Sequence, residues 1–228
     1  MSNDDEIRSE LYGMRRQYAE TGLEEETLPN SPFNLFKDWF QEAANNKFVV
    51  EPNAMILSTL NFDGPIARTV LLKEFSNRGF TFFTNYQSRK GQAIAKEHRV
   101  SLLFPWYAME RQVIIQGRAT KLAASESDLY FDLRPYGSQI AAWASLQSEE
   151  IASRKELVER YNHFKLKFPE GKPVPRPEYW GGYLVIPRTI EFWQGRNSRL
   201  HDRVLYSLNL EGTESNSESE WNKVRLNP

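Results

Sequence analysis

The feature that most limits what this chain can fold into is the spacing of its β-rich runs. "AMILSTLNF", "IARTVLLKEF" and "GFTFFTN" follow one another, separated only by "DGP" and "SNRG". The runs are rich in β-branched and aromatic residues, and both connectors are turn signals. Connectors this short cannot carry a helical crossover, so the neighbours must pair antiparallel. "RVSLLFPWY" and "RQVIIQGRATKL" extend the pattern. "YLVIPRTIEFW" returns to strand later, and "RVLYSLNL" and "WNKVRL" read as a last hairpin across the polar loop "EGTESNSESE". We expect six to eight strands in consecutive hairpins, which favours an antiparallel barrel or sandwich over a doubly wound sheet.

Three or four helices are expected beside them. In "SPFNLFKDWFQEAANNK", Ser31 suits an N-cap and Pro32 the first helical position. Phe33, Phe36, Phe40 and Ala43 recur at helical spacing. "RKGQAIAKEH" is capped by Ser88. "SESD" at Ser125–Asp128 resembles a capping box, and "SQIAAWASLQ" and "SEEIASRKELVERYNHFKLKF" follow as helices. "PEGKPVPRPEYWGG" reads as a loop. Residues 1–30 are polar and read as a mobile arm, leaving 31–228 as one domain of mainly β with added helices (α+β).

Charge narrows the function. Lys+Arg number 29 and Asp+Glu 30, a net charge of -1. Coating nucleic acid or an anionic membrane calls for a basic excess, so any basic cluster here is local and serves a small anion. No cysteine is present, which excludes disulfides and thiolate chemistry. The acidic start lacks a signal-peptide pattern, and no apolar run approaches the roughly 20 residues of a membrane span, so a cytoplasmic protein is expected.

Four stretches concentrate candidate chemistry. In "FWQGRNSRLHDR", read as a strand, Arg199, His201 and Arg203 alternate onto one face. An anionic ligand would relieve their repulsion; a solvated edge strand paired with carboxylates is equally open on the residues alone. In "TNYQSRKGQAIAKEH", Arg89 and Lys90 fall in the first turn of a helix, which is unfavourable unless a phosphate docks on its free N–H groups. In "RTVLLK", Arg68 and Lys73 are an odd number of residues apart, so only a bulge or a ligand wrapping the strand end lets both reach one site. In "DLYFDLRPYGSQ", Tyr130 and Arg134 share a helical face, Pro135 ends that helix and Ser138 is placed to cap the next. Neither G-x-G-x-x-G nor G-x-x-x-x-G-K-[ST] occurs, and His98, His163 and His201 show no metal-ligand spacing. With no strong nucleophile in view, the chemistry falls to a cofactor.

"RTVLLK", "FFTNYQSRKGQAI", "RVSLLFPW", "ERQVIIQG", "SQIAAWASLQS" and, last in the chain, "IEFWQGRNSRLHDR" resemble the pyridoxine (pyridoxamine) 5'-phosphate oxidases in order and spacing, from about Leu35 to Pro228. Phe83 departs from members with Tyr there, and "GRNS" precedes Arg199 where the family varies. The resemblance implies an antiparallel, FMN-binding split β-barrel. It implies a homodimer with FMN at the subunit interface, oxidising pyridoxine or pyridoxamine 5'-phosphate to pyridoxal 5'-phosphate with O2 as acceptor. It places FMN against Arg68, Thr69, Val70, Leu71, Leu72, Lys73, Phe83, Thr84, Ser88, Arg89 and Lys90, with Gln112, Gln147, Ser148, Trp193 and Arg203 completing the site, some from the partner. It gives substrate binding to Lys73, Tyr130, Arg134, Ser138, Arg199, Leu200 and His201, with Arg15 and Tyr18 closing over it. Arg199 and His201 are the catalytic pair it implies. A flavin enzyme of the same barrel with another substrate, or a non-catalytic binder, are the alternatives.

Overall fold

The computed structural model describes residues 7, 10–13, 18, 22–209 and 221–228. Arg15 therefore lies outside the described residues, as does the whole loop "EGTESNSESE". Among the described residues, nine strands form one antiparallel sheet. They are β1 (Ala54–Asn61), β2 (Gly64–Leu71), β3 (Glu74–Ser76), β4 (Gly79–Asn85), β5 (Arg99–Trp106), β6 (Arg111–Lys121), β7 (Trp180–Gln194), β8 (Asp202–Leu208) and β9 (Trp221–Leu226). The helices are α1 (Pro32–Asn45), α2 (Arg89–Lys96), α3 (Ala124–Asp132), α4 (Tyr136–Ala144) and α5 (Arg154–Lys167). No helix among the described residues is long and apolar enough to cross a membrane.

The strand order is β2-β1-β5-β6-β7-β4-β3, with β8 on β7 and β9 on β8. Strand β7 organises it. One edge pairs with β6 along its length, while the other is shared, Trp180–Val185 with β4 and Thr189–Gln194 with β8. The ladder does not close. Its ends are drawn together where β2 gives way to β3: the Leu72 N–H donates to Asn53 O at 2.8 Å and the next N–H, of Lys73, donates to Thr81 O at 2.9 Å. The run "IARTVLLKEF", which reads as one strand, is therefore two. The backbone changes partner at Leu72, whose side chain is buried in the core.

Alternate residues of β1, β5 and β6 fill the interior, including Leu57, Leu102, Phe104, Val113 and Ile115, each 0% exposed. Helix α1 plugs the barrel with Phe36, whose ring meets Phe75 and Phe80 at 4.9 Å and Phe104 at 5.1 Å. Phe33 and Ala43 are buried with it and Phe40 half-buried, as the helical spacing predicts. Ser31 precedes the helix in an extended conformation but makes no side-chain cap bond; Pro32 alone starts it. A second cluster, built on Phe131, Ile140, Val174 and Trp180, joins α3, α4 and α5 to the start of β7.

A register shift lies at Gln116/Gly117, where Gln116 pairs with Thr189 but Gly117 with Pro187. The extra residue, Arg188, bends β7 at the point where it exchanges β4 for β8. A Cβ on Gly117 would stand 2.2 Å from Ile186 O and 2.9 Å from Pro187 Cα, both backbone atoms that cannot move aside cheaply. Gly117→Ala is expected to destabilise the fold by about 2 kcal/mol or more, read from urea unfolding; a loss under about 0.5 kcal/mol, the ordinary range of a harmless surface change, would contradict this account of the bend.

Candidate active site

A cleft of about 520 Å³ opens between the barrel and the helical layer. It brings together Thr69, Val70 and Leu71 of β2, Lys73, Phe83 and Thr84 of β4, Lys90 of α2, Tyr130 of α3, then Arg134, Ser138 and Gln147. These residues come from five stretches of sequence, and each was a predicted ligand contact. The odd spacing of Arg68 and Lys73 is resolved by the change of strand at Leu72: Lys73 reaches the cleft, while Arg68 turns inward and donates to Leu57 O at 3.1 Å and Thr59 Oγ1 at 2.8 Å.

The turn before α2 is built for close packing. Ser88 Oγ accepts the Gly91 N–H and donates to Asn85 O, so this side chain caps the helix as expected. Lys90 Nζ, in the first turn, donates to Gln147 Oε1 at 2.9 Å, and Thr84 Oγ1 donates to the same oxygen at 3.2 Å. Burial, and then the neighbouring Arg68, pushes the Lys90 ammonium down to about 8. Arg89 is exposed on the outer side of the same turn.

The opposite wall is aromatic. Phe83 stacks on Tyr130 at 3.9 Å and on Trp180 at 5.5 Å, and the Arg134 guanidinium lies 4.3 Å above Trp180. Burial holds the Arg134 pKa below its ordinary value. Its Nη1 is buried without a hydrogen-bond partner. Buried donors are nearly always satisfied, so a lone guanidinium nitrogen marks a place for an acceptor. No carboxylate is among the described residues lining the cleft. The local structure differs from the sequence reading in three details. Helix α3 starts two residues earlier than "SESD" suggests, with the Ala123 N–H bonded to Glu126 Oε2. It ends at Asp132, so Arg134 lies beyond it rather than on its face. Ser138 sits inside α4 and does not cap it.

The remaining predicted residues form a second group. Gln112, Trp193 and Arg203 are direct cross-strand partners on β6, β7 and β8, so they form one row on one face. Arg203 is held by Glu191 Oε1 at 2.8 Å and Asn227 O at 3.1 Å. The Tyr18 ring packs edge-on against His201 at 5.3 Å and Trp193 at 6.0 Å, and Trp193 and His201 are 4.7 Å apart. A Cβ on Gly195 would lie 2.6 Å from the Tyr18 ring, so glycine permits that contact.

The stretch "GRNSRLH" is not a strand. It is a loop with a 3-10 turn at Asn197–Arg199, in which Ser198 (φ 57°) and Arg199 (φ 62°) are left-handed. The expected alternation of Arg199, His201 and Arg203 onto one face therefore fails: two residues with positive φ turn the chain before β8 begins at Asp202. Arg199 and Leu200 are exposed, and His201 is half-buried. His201 Nδ1 accepts the Arg196 N–H at 3.1 Å, so the neutral ring carries its proton on Nε2. Burial, followed by Arg199, lowers the imidazole pKa, and Asp202 opposes them. Ser148 is exposed and also left-handed, at φ 77°. Non-glycine residues persist in that region only where the surrounding structure over-determines them, and Glu110 (φ 57°) shares it.

The two groups lie toward opposite ends of β7. The cleft touches β7 at Trp180, and β4 pairs there through Gly181 and Gly182, whereas Trp193 is near the other end of the strand. That is roughly 43 Å along a fully extended backbone. Sequence reasoning missed Trp180, Asn85, Leu133 and Ser145, which also line the cleft. Trp180 was read as part of a Pro-rich loop; the aromatic immediately before "GG" was the available signal.

An open antiparallel barrel with a cationic cleft and an aromatic wall has the chemistry that suits a planar, phosphorylated ligand. Residues 41–167 match the family model described as pyridoxamine 5'-phosphate oxidase, and residues 180–228 match one described as the pyridoxine 5'-phosphate oxidase C-terminal dimerisation region. A pyridoxine/pyridoxamine 5'-phosphate oxidase of Rubrobacter xylanophilus is 50% identical over 222 residues, 97% of this chain and 98% of the relative. One from Thermobifida fusca is 50% identical over 217 residues, 94% of this chain and 96% of the relative. The crystal structure of PhzG from Burkholderia lata, in complex with tetrahydrophenazine-1-carboxylic acid, superimposes with a TM-score of 0.81 at 29% identity, covering 92% of this chain and 99% of that one. A pyridoxamine 5'-phosphate oxidase-related, FMN-binding protein of Nostoc punctiforme shares the fold, with a TM-score of 0.67 at 15% identity, covering 88% of this chain and 100% of that one. The chain belongs to the pyridoxine/pyridoxamine 5'-phosphate oxidase family and is an oxidoreductase.

The Lys90 environment carries a stability consequence. The folded pKa of about 8 lies below the ordinary 10.5. The unfolded chain therefore binds this proton more readily, which destabilises the fold fully below about pH 8 and progressively less as the pH rises to 10.5. Lys90→Met is expected to stabilise the ligand-free protein at pH 7 by about 1 kcal/mol or less, the ammonium being partly solvated, and to lose that advantage by pH 10. Urea unfolding at both pH values checks it; a variant less stable than wild type at pH 7 would contradict it.

Proposed function

We propose that this protein oxidises pyridoxine 5'-phosphate and pyridoxamine 5'-phosphate to pyridoxal 5'-phosphate, using FMN and O2. The observation that carries the reading is the cleft itself: Lys73, Lys90 and Arg134 converge beside an aromatic stack with no lining carboxylate, and Arg134 Nη1 is buried without a partner. Such a site is incomplete until anions enter it. It fits two of them: a flavin phosphate at Lys90 and the start of α2, and a substrate phosphate at Arg134, Tyr130 and Ser138.

In this reading FMN, when bound, would supply the two-electron redox chemistry that links the substrate to O2. Pyridoxine 5'-phosphate and O2 give pyridoxal 5'-phosphate and H2O2; the amine also takes up water and releases NH3. The chain's own residues bind, orient and screen. Arg89 and Lys90 hold the FMN phosphate as two cations at a helix start, and Ser88, buried with its hydroxyl already bonded, contributes by fixing the turn that carries them. Thr69 to Lys73 supply the floor, with Leu72 limited to backbone contact because its side chain is core. Arg134 and Lys73 fix the substrate phosphate, and a fixed phosphate sets the position of the ring attached to it. Orientation of this kind is worth several kcal/mol of barrier.

The row Gln112, Trp193 and Arg203, and the loop bearing Arg199 and His201, complete the site from a second copy of the chain. The match of residues 180–228 to a dimerisation region supports a homodimer, and in this reading FMN lies at its interface. Arg199 and His201 then face the substrate ring, with the Nε2 proton of His201 directed outward as a donor. Gln147 and Ser148 border the flavin, and Tyr18 covers the substrate.

The purified protein should be yellow, bleach anaerobically on adding pyridoxine 5'-phosphate, and release peroxide in air. A colourless protein that binds no FMN, or a yellow one not reduced by this substrate, would contradict the proposal. Arg134→Ala should keep its flavin absorbance while KM for pyridoxine 5'-phosphate rises on the order of 10–100-fold, the loss of a charge-assisted hydrogen-bond pair. Loss of flavin with KM unchanged would reverse the assignment of the two phosphates.

A further inference from the structure

One buried carboxylate at the edge of the site has no part in the chemistry above. Asp202 opens β8 between His201 and Arg203, and its side chain is only 14% exposed. Its Oδ2 accepts the Leu23 N–H at 3.0 Å and Arg196 Nη1 at 3.4 Å, and its Oδ1 accepts Arg225 Nη1 at 2.5 Å. A single side chain thus joins the N-terminal segment, the loop between β7 and β8, and strand β9. Arg225 strengthens the same junction by donating to Leu23 O at 2.5 Å and by pairing with Glu25. The approach is close: a Cβ on Gly22 would fall 1.6 Å from Arg196 Nη1 and 2.4 Å from Asp202 Oδ2.

What this junction holds lies on either side of it. Tyr18, just upstream of Gly22 and Leu23, is the ring that packs on Gly195, Trp193 and His201. Arg196, fixed by Asp202 through its guanidinium, uses its own N–H to hold His201 Nδ1. Removing the carboxylate would leave Arg196 and Arg225 facing each other, with the Leu23 N–H unsatisfied, so both attachments would loosen together.

We propose that Asp202 is a positioning residue: by clamping Leu23, Arg196 and Arg225 it holds Tyr18 and His201 in the geometry that receives the substrate ring. It touches neither substrate nor flavin. The proposal rests on the functional reading above for its kinetic consequences, while the clamp itself is measurable without turnover.

The test uses the holoenzyme and the variants Asp202→Ala, Tyr18→Ala and the pair combined. In Asp202→Ala the Leu23 amide should exchange with solvent on the order of 10-fold faster or more, as expected for a lost hydrogen bond to a charged group. Flavin absorbance should be retained. KM for pyridoxine 5'-phosphate should rise about 10-fold with kcat changed much less, and the combined variant should lose less than the product of the two single losses, because the residues act through one contact. Asp202→Asn, which keeps the shape and one acceptor oxygen, should fall between wild type and alanine and serves if the alanine variant does not fold. Unchanged Leu23 exchange, or fully multiplicative losses, would overturn the clamp. If the wild-type protein does not oxidise pyridoxine 5'-phosphate, the functional reading fails, and Leu23 exchange alone still decides whether Asp202 holds the arm.

Discussion

The hydrogen-bonding of β7 is the constraint on which the rest of the structure depends. Its 15 residues serve three partner strands, with β4 and β8 sharing one edge in succession. The bend at Gly117 and Arg188 is where that exchange happens, and a glycine is required because backbone crosses backbone there. The start of β7 is fixed beside β4 and the cationic cleft, while its end presents Trp193 to β6 and β8. The two groups of candidate residues are consequently held apart by the length of one strand. A strand is a better spacer than a loop, because ladder bonds fix most of its length.

Electrostatics sets the cleft apart from the rest of the molecule. The chain is nearly neutral overall, with 29 basic and 30 acidic side chains. Several of its described cations are paired with carboxylates, as Arg78 is with Glu126 and Arg176 with Asp128. The cleft cations have other surroundings. Lys90 has Arg68 for a neighbour and an amide oxygen for a partner, and Arg134 lies on a tryptophan face with one nitrogen unsatisfied. Leaving charges buried and unpaired costs stability, and such costs persist where binding or catalysis requires them. The left-handed Ser148, Ser198 and Arg199 fit the same pattern in the backbone.

Much of this was legible in the sequence. Short turns between β-rich runs dictated antiparallel pairing, and helical spacing in Phe33, Phe36 and Ala43 identified the plug helix, because both signals are local. Ser88 was legible as a cap for the same reason. The family resemblance supplied the membership of the cleft, which periodicity could not, since Lys73, Lys90 and Arg134 are joined only by tertiary folding. Three things escaped. The break at Leu72 is set by partner exchange with Asn53 and Thr81, not by any breaker residue. The turn at Ser198 and Arg199 occurs in residues with no intrinsic preference for positive φ. The clamp at Asp202 depends on Leu23 and Arg225, near opposite ends of the chain, and nothing in the spacing of the histidine motif announces it.

The central claim is that each site is assembled from two chains, the cationic cleft of one and the Trp193–Arg203 face of the other. Subunit complementation tests it most directly. Lys90→Ala and Arg203→Ala proteins, each unable to retain FMN alone, are unfolded together and refolded as a mixture. In a twofold dimer each mixed pair then contains one intact site and one carrying both substitutions, so flavin binding should return to about a quarter of all sites. A mixture that binds no more flavin than its separate components would show that the two groups do not meet across the subunit interface, and would contradict the account.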